Sequence, residues 1–298
     1  MNPSVKSMSI YPLKSGAGLS VEAAELAQRG LWADRKFMLV HAKANDEGVY
    51  RFISQRDKGA EKLALVKALP YEASDGPRMM FEFPDEHRLL VKRDAPRNSL
   101  LVNVWKDTLA GNEHSSLASN MFSTYLNIDC RLVEFREDTM RQSDLSFSQK
   151  GDQTAFADGF PLLITNQASL DALNAEIPQE HRVEMSRFRP NIVLEGLAPF
   201  EEDTISALQI GDTVIELVKP CTRCKLVTVD QETSDIPSKD PLQTLARVRR
   251  GKADGLQGVF FGQNAVPRHL GTMNVGDDVK ILSRKPMHPA VQQAKLKF

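Results

Sequence analysis

The chain has 298 residues, with 38 Lys and Arg against 39 Asp and Glu for a net charge of −1, and 41% of it is hydrophobic. A length about twice the ~150 residues of one domain points to two domains, and the charge balance excludes a general nucleic-acid binder, which needs a basic excess, while leaving a local anion pocket open. No apolar run nears the ~20 residues of a membrane helix, and residues 1–6 hold no apolar signal core, so a cytoplasmic protein without a membrane partner is expected.

Short apolar or alternating runs between turn residues predict strands at residues 5–11, 37–41, 79–83, 88–92 and 100–105. Leu117, Met121, Phe122 and Leu126 share one face of a helix expected over 115–126, with Ser115 or Ser116 as its cap. A strand at 130–135 leads into a polar stretch, 136–154, read as a junction or mobile loop. From Asp158 the pattern changes. A strand at 160–165 precedes a short helix capped by Ser169 and carrying Leu170, Leu173 and Ile177. Further strands are expected at 191–194, 213–218, 225–230, 259–262 and 279–282, and a helix over 241–250 with Pro241 in its first turn. Gly211-Asp212 and Gly276-Asp277 each mark a turn before a strand, and the tail 284–298 shows no strong pattern. Many strands and few helices give a strand-rich α+β class. The expected division is a domain at 1–135, the linker or loop 136–154, a second domain at 155–283, and the tail.

The sharpest local feature is Lys219-Pro220-Cys221-Thr222-Arg223-Cys224. A cysteine beside Arg223 is biased towards thiolate, the form that attacks or binds metal. Spacing alone leaves several roles open. A structural zinc site needs four ligands, and the third cysteine, Cys130, is remote in sequence. Thioredoxin-like chemistry wants the pair opening a helix, whereas a strand is expected here. What remains is a pair of buried structural thiols or one soft-metal ligand. Cations also gather at element ends: Lys14-Ser15 after the first strand, Asp34-Arg35 before the second, and Arg187 and Arg189 before Asn191. Fixed guanidinium groups suit a phosphate or a polar heterocycle, and solvated surface cations are the plainer reading. Lys14-Ser15-Gly16 lacks the spaced glycines of a phosphate loop. The six histidines are scattered without metal-binding spacing, and no Gly-x-Ser-x-Gly element occurs, which weighs against hydrolase chemistry.

In chain order, these pieces resemble one family. They are Tyr11-Pro12-Leu13-Lys14-Ser15, Gly30-Leu31 with Asp34-Arg35-Lys36-Phe37-Met38, Ser54-Gln55-Arg56, and Phe156-Ala157-Asp158-Gly159-Phe160-Pro161. Phe188-Arg189-Pro190-Asn191-Ile192-Val193, Glu202-Asp203, the Cys221 to Cys224 element, Pro241-Leu242-Gln243-Thr244-Leu245 and Phe261-Gly262-Gln263-Asn264 follow. The sequence is similar, from roughly Val5 to Leu282, to MOSC-domain proteins of the two-part type. Bacterial N-hydroxylated-base reductases and the mitochondrial amidoxime-reducing component belong to that type.

The resemblance implies an N-terminal β-barrel-like domain followed by a MOSC β-barrel with a few helices. It also implies the molybdenum cofactor, Mo-molybdopterin, with Cys224 as catalytic residue and metal ligand. Lys14, Ser15, Arg35 and Arg189 would hold the cofactor's phosphate and pterin. Asp158, Gly159, Asn191, Thr222, Arg223 and Asn264 would line the site, although Asn191 and Asn264 equally suit tying down a turn. The implied activity is reduction of small N-hydroxylated substrates. Three cysteines cannot form a four-thiolate cluster, and nothing after Leu282 matches the ferredoxin-like domain of one bacterial branch. Electrons are therefore expected from a separate flavoprotein and an iron–sulfur or haem protein. A sulfur carrier with a persulfide on Cys224, or a non-catalytic cofactor carrier, would use the same residues.

Overall fold

Five strands wrap into a closed barrel in the computed structural model, which describes residues 2–93 and 98–298. Ser99–Val104 and Asp107–Glu113 form a hairpin. Cys130–Phe135, Phe37–Ala44 and Val49–Phe52 follow in antiparallel order, and Val49–Phe52 closes the ring by pairing in parallel with Ser99–Val104. Closure leaves no exposed strand edge. Alternation puts Met38, Val40, Val102, Val104, Val133 and Phe135 into one buried cluster with Phe156.

The helix Ser116–Leu126 begins as expected, with the Ser115 side chain accepting the Ala118 N–H. Its buried stripe is Ala118, Phe122 and Leu126, at i, i+4 spacing, while Leu117 is 64% exposed. The predicted apolar face is therefore rotated: Phe122 packs on Phe81 and Phe83 of the small sheet Lys67–Ala73, Gly76–Glu82 and Arg88–Lys92, or its adjoining turn.

The other large element is a nine-stranded sheet that takes strands from both ends of the chain. Ser4–Ile10 pairs with Ile192–Glu195, Met8 lying opposite Ile192, and with Leu19–Val21. In a separate three-stranded sheet, Ala23–Ala27 pairs with Gly271–Asn274. Leu162–Asn166 runs parallel to Ile192–Glu195, with helix Gln167–Ala175 as the crossover. The sheet's spine is the ladder between Thr213–Thr222 and Leu256–His269. Gly262 lies in it at φ 77°, where a side chain would collide with the Ile164 carbonyl at 2.8 Å.

Three sequence expectations are corrected. Residues 225–230 are not a strand: Lys225–Thr228 is a single 3-10 turn. Its apolar residues, Leu226, Val227 and Val229, have a strand's composition, but the ladder ends where the Arg223 N–H meets the Val259 carbonyl, and Val227 then turns into the cluster of Phe188 and Leu245. The cap of helix Gln167–Ala175 is Asn166, whose side chain accepts the Ala168 N–H. Ser169 instead sits inside the helix, donating to Glu202 Oε2 at 2.8 Å and accepting the Phe200 N–H. The tail contains a short helix, Pro289–Gln292, whose Ala290 and Val291 are buried. The polar stretch 136–154 is irregular yet pinned. Arg141 in it is buried and donates to the carbonyls of Ala155, Ala157 and Asp158 while pairing with Asp107 at 2.8 Å.

Beneath the sheet, Asp203 accepts from Arg249 at 2.7 Å and Gln263 at 2.6 Å, all three buried. Glu202 beside it has one oxygen without a hydrogen-bond partner. Burial first, and the Asp203 charge second, raise its pKa to about 8. The folded state thus keeps a proton that the unfolded chain loses from about pH 4.5 upwards. This group's contribution to stability falls as pH rises through that interval towards 8. Glu202→Gln is expected to flatten that decline and to raise the melting temperature at pH 9 relative to the native protein. Parallel melting curves across pH for the two proteins would refute this assignment.

Candidate functional site

All eleven residues named from the sequence line one cleft. Lys14, Ser15 and Arg35 line it together with Phe52 of the barrel and with Ser54 and Arg56 just after that strand. Asp158, Gly159, Arg189 and Asn191 join them from the later part of the chain, with Thr222, Arg223, Cys224 and Asn264.

The backbone presents these groups in unusual conformations. Ser15, Arg35 and Arg189 have φ of 66°, 48° and 55°, the left-handed region. Non-glycine residues seldom occupy it, and they do so where surrounding contacts over-determine the chain. Those contacts are visible. The Lys14 N–H donates to the Phe37 carbonyl at 2.7 Å and the Arg35 N–H to that of Tyr11 at 2.9 Å. Arg189 ends the 3-10 turn Met185–Phe188.

Tyr11 organises the cations. The Arg35 guanidinium lies 4.1 Å from its ring centroid and that of Arg189 lies 4.3 Å away. Arg35 Nη1 also pairs with Asp34 at 2.6 Å. Arg189 Nη1 donates to Gln231 Oε1 at 2.8 Å, while its Nη2 is buried without a partner. Burial, then repulsion from Arg35, lowers the Arg189 pKa to about 10. Lys14 and Arg189 are only 5% and 6% exposed, so neither is a solvated surface cation.

Lys14 Nζ donates to the Phe156 carbonyl at 2.8 Å and to Asp158 at 2.6 Å. Its pKa is lowered by burial, against the pull of Asp158. For Asp158 the protein mass around it opposes ionisation. The Lys14 ammonium, the Trp105 indole N–H at 3.1 Å and the Arg56 charge outweigh that and hold the carboxyl well below the usual range. The carboxylate remains open to solvent at the cleft mouth.

The two site cysteines differ. Cys224 is exposed and Cys221 half-buried, so the reading as two buried structural thiols does not hold. Arg223 touches Cys221, not Cys224: its Nη1 donates to Cys221 Sγ at 3.0 Å, its Nη2 to the Phe188 carbonyl at 2.6 Å, and its Nε is buried and unpartnered. The loop's approach to the neighbouring strand requires Gly258, at φ 150°, since a side chain there would meet Thr222 at 2.4 Å. The remote Cys130 is buried and its pKa is pushed up to about 11 by that burial, which keeps it a thiol.

Other residues take up different duties. Asn191 spends its amide on backbone, accepting from Leu163 N and donating to the Ser9 carbonyl, so it ties the two strands together. A side chain built at Gly159 would meet nothing within 4 Å, which leaves open space beside Asp158. Gln231, Trp105 and Arg141 were not named from sequence. Gln231 and Arg141 lie in polar stretches without periodicity, and Trp105 is recognisable only as a bulky residue in a left-handed hairpin turn, φ 58°.

The cleft thus combines clustered cations, two orphan guanidinium N–H donors and an exposed thiol. Such a set accepts an anionic, hydrogen-bonding ligand and offers one soft ligand to a metal. Among the described residues no group of three or more His, Cys, Asp or Glu side chains is placed to hold a metal. A metal at Cys224 would have to bring other ligands with it. Likewise, among the described residues no helix is long and apolar enough to cross a membrane.

Comparison with known proteins covers nearly the whole chain. The MOSC N-terminal beta barrel domain matches residues 2–129 and the MOSC domain residues 151–280. The mitochondrial amidoxime-reducing component 1 of Mus musculus is 33% identical over 288 residues, 92% of this chain and 81% of that protein. Component 1 of Homo sapiens is 31% identical, covering 92% of this chain and 82% of that one, and component 2 of Homo sapiens is 31% identical over 91% and 81%.

Proposed function

The chain belongs to the family of MOSC-domain proteins that carry the MOSC N-terminal barrel, and from that premise we propose that it is a molybdenum-cofactor-dependent reductase of N-hydroxylated compounds. The observation that carries the proposal is the pairing of exposed Cys224 with the orphan donors Arg189 Nη2 and Arg223 Nε in one cleft. Buried donors left without partners cost stability unless a ligand completes them. The relatives' names, amidoxime-reducing components, indicate the reaction.

Lys14, Arg35 and Arg189 would hold the phosphate and pterin end, and the Cys224 sulfur would bind the metal. When bound, the cofactor supplies the two-electron centre at which the N–O bond is reduced. The chain's own residues fix its orientation. Arg141 holds the backbone that carries Asp158, and the Tyr11 ring holds both guanidinium groups. Asp158 is a fixed negative charge at the mouth, suited to the protonated or polar nitrogen head of a substrate. The reaction balances as R–NHOH plus two electrons and two protons giving R–NH2 and water. The electrons come from separate proteins, and the cytoplasm is the proposed location.

The test is metal and pterin analysis of protein made in cofactor-proficient cells supplied with molybdate, followed by benzamidoxime reduction with reduced methyl viologen. Near-stoichiometric molybdenum and pterin, with benzamidine formed, are expected. Folded protein free of both would sink the proposal and move persulfide chemistry on Cys224 to the front.

A further inference from the structure

The segment 221–228 is a wall with two sides. One side faces the cleft. On the other opens a groove lined by Lys225, Lys239, Arg250 and Lys252, with Ile236 55% exposed among them. Arg223 lines both spaces, and Lys225, a groove residue, directly follows Cys224. The four cations named are exposed, and no Asp or Glu contributes to the described lining. A chain of net charge −1 has no general basic excess, so this is a local concentration.

We propose that this groove is the docking surface for an acidic electron-donor protein, a low-potential iron–sulfur carrier, that feeds the cleft from behind Cys224. The inference rests on the reductase reading above. Each turnover breaks one N–O bond, releases the oxygen as water and takes up two protons from solvent and two electrons from the donor, which is oxidised. These 298 residues hold three cysteines, one short of a four-thiolate cluster, so no cluster of that kind within them supplies the electrons. Substrate enters at the mouth by Asp158, so a donor on the far side of the wall can bind at the same time. The groove lies against the cleft, because Arg223 lines both and Lys225 of the groove directly follows Cys224. Charge complementarity around a small apolar centre suits electron-transfer complexes, which are weak, polar and salt-sensitive and rely on steering for speed.

The experiment uses the cofactor-loaded full chain and benzamidoxime, driven either by an acidic [2Fe–2S] ferredoxin or by reduced methyl viologen. The comparison is with the variant K239E/R250E/K252E, three exposed positions outside the cleft. Ferredoxin-driven kcat/KM is expected to fall at least about tenfold at low salt, mostly through KM, and to lose its salt dependence. Viologen-driven turnover and the melting temperature stay unchanged. Equal ferredoxin-driven rates in variant and native protein overturn the inference, as does a ferredoxin that drives no turnover while viologen does. Failure of viologen itself in cofactor-loaded native protein counts against the reductase reading, and the docking inference falls with it.

Discussion

Cys224→Ala is expected to purify as a folded protein that retains no molybdenum and reduces benzamidoxime at least about a hundredfold more slowly than the native chain. Loss of one outer-sphere support of a metal ligand already costs about 10–100-fold, so loss of the ligand itself should exceed that. The fold should be indifferent. Cys224 is exposed, and substitutions at such positions shift stability by only about ±0.5 kcal/mol. Cys221→Ala is the informative control. Its thiol accepts from Arg223 Nη1, so its loss frees a guanidinium that also holds the Phe188 carbonyl. Metal should be retained in that variant, with a smaller fall in rate. Molybdenum content equal to native in Cys224→Ala would remove Cys224 from the metal's coordination. A mass gain of one sulfur on native Cys224, without metal, would support the sulfur-carrier alternative.

Arg189→Met is expected to separate stability from ligand binding. In the cofactor-free protein, the Arg189 guanidinium is buried and repelled by Arg35 across the Tyr11 ring. A side chain of similar length without the charge relieves that burial and repulsion, which offsets the lost hydrogen bond to Gln231 and the lost contact with Tyr11. The melting temperature without ligand should therefore be no lower than native. The response to an anion should be reversed. Inorganic pyrophosphate is expected to raise the melting temperature of the native protein, an effect worth about 2.7 kcal/mol at a hundredfold excess over Kd. In Arg189→Met most of that gain should vanish, because a buried charged contact is worth about 2–5 kcal/mol. Arg189→Lys keeps the charge but loses the planar fork, and should fall between the two. Equal stabilisation of all three proteins by pyrophosphate would rule out Arg189 as a phosphate anchor.

How far each feature could be read from sequence depends on the range of the forces that make it. Strands such as Arg88–Lys92 and Cys130–Phe135 were legible because a short apolar run bounded by turn residues is a local property. The Ser115 cap was legible for the same reason. The turn Lys225–Thr228 was misread because Leu226, Val227 and Val229 satisfy a strand's composition, and only the end of the ladder at Val259 forces the chain to turn. The Ser169 cap was misread because a serine near a helix start is a cap by default, whereas Glu202 and Phe200, more than 30 residues on, claim its hydroxyl. In the cleft, the resemblance picked residues from six separate segments that do converge. It had no means to show that Arg223 touches Cys221, or that Asn191's amide is spent on backbone.

The sequence by itself determined the strand-rich class, the near-neutral charge, the shortage of thiolates for a cluster and the cysteine element at the end of a strand. Each of these is a matter of counting or of neighbours a few residues apart. Tertiary structure alone decided that Ser4–Ile10 joins Ile192–Glu195, so that the first strand braces the sheet of the later part of the chain. It alone decided that Ser15, Arg35 and Arg189 adopt left-handed backbone, and that Arg189 Nη2 and Arg223 Nε are buried without partners. Those outcomes depend on contacts made between separate segments of the chain, from Lys14 with Phe37 to Ser4 with Glu195, formed only once packing has offset the entropy of closing the loops between them.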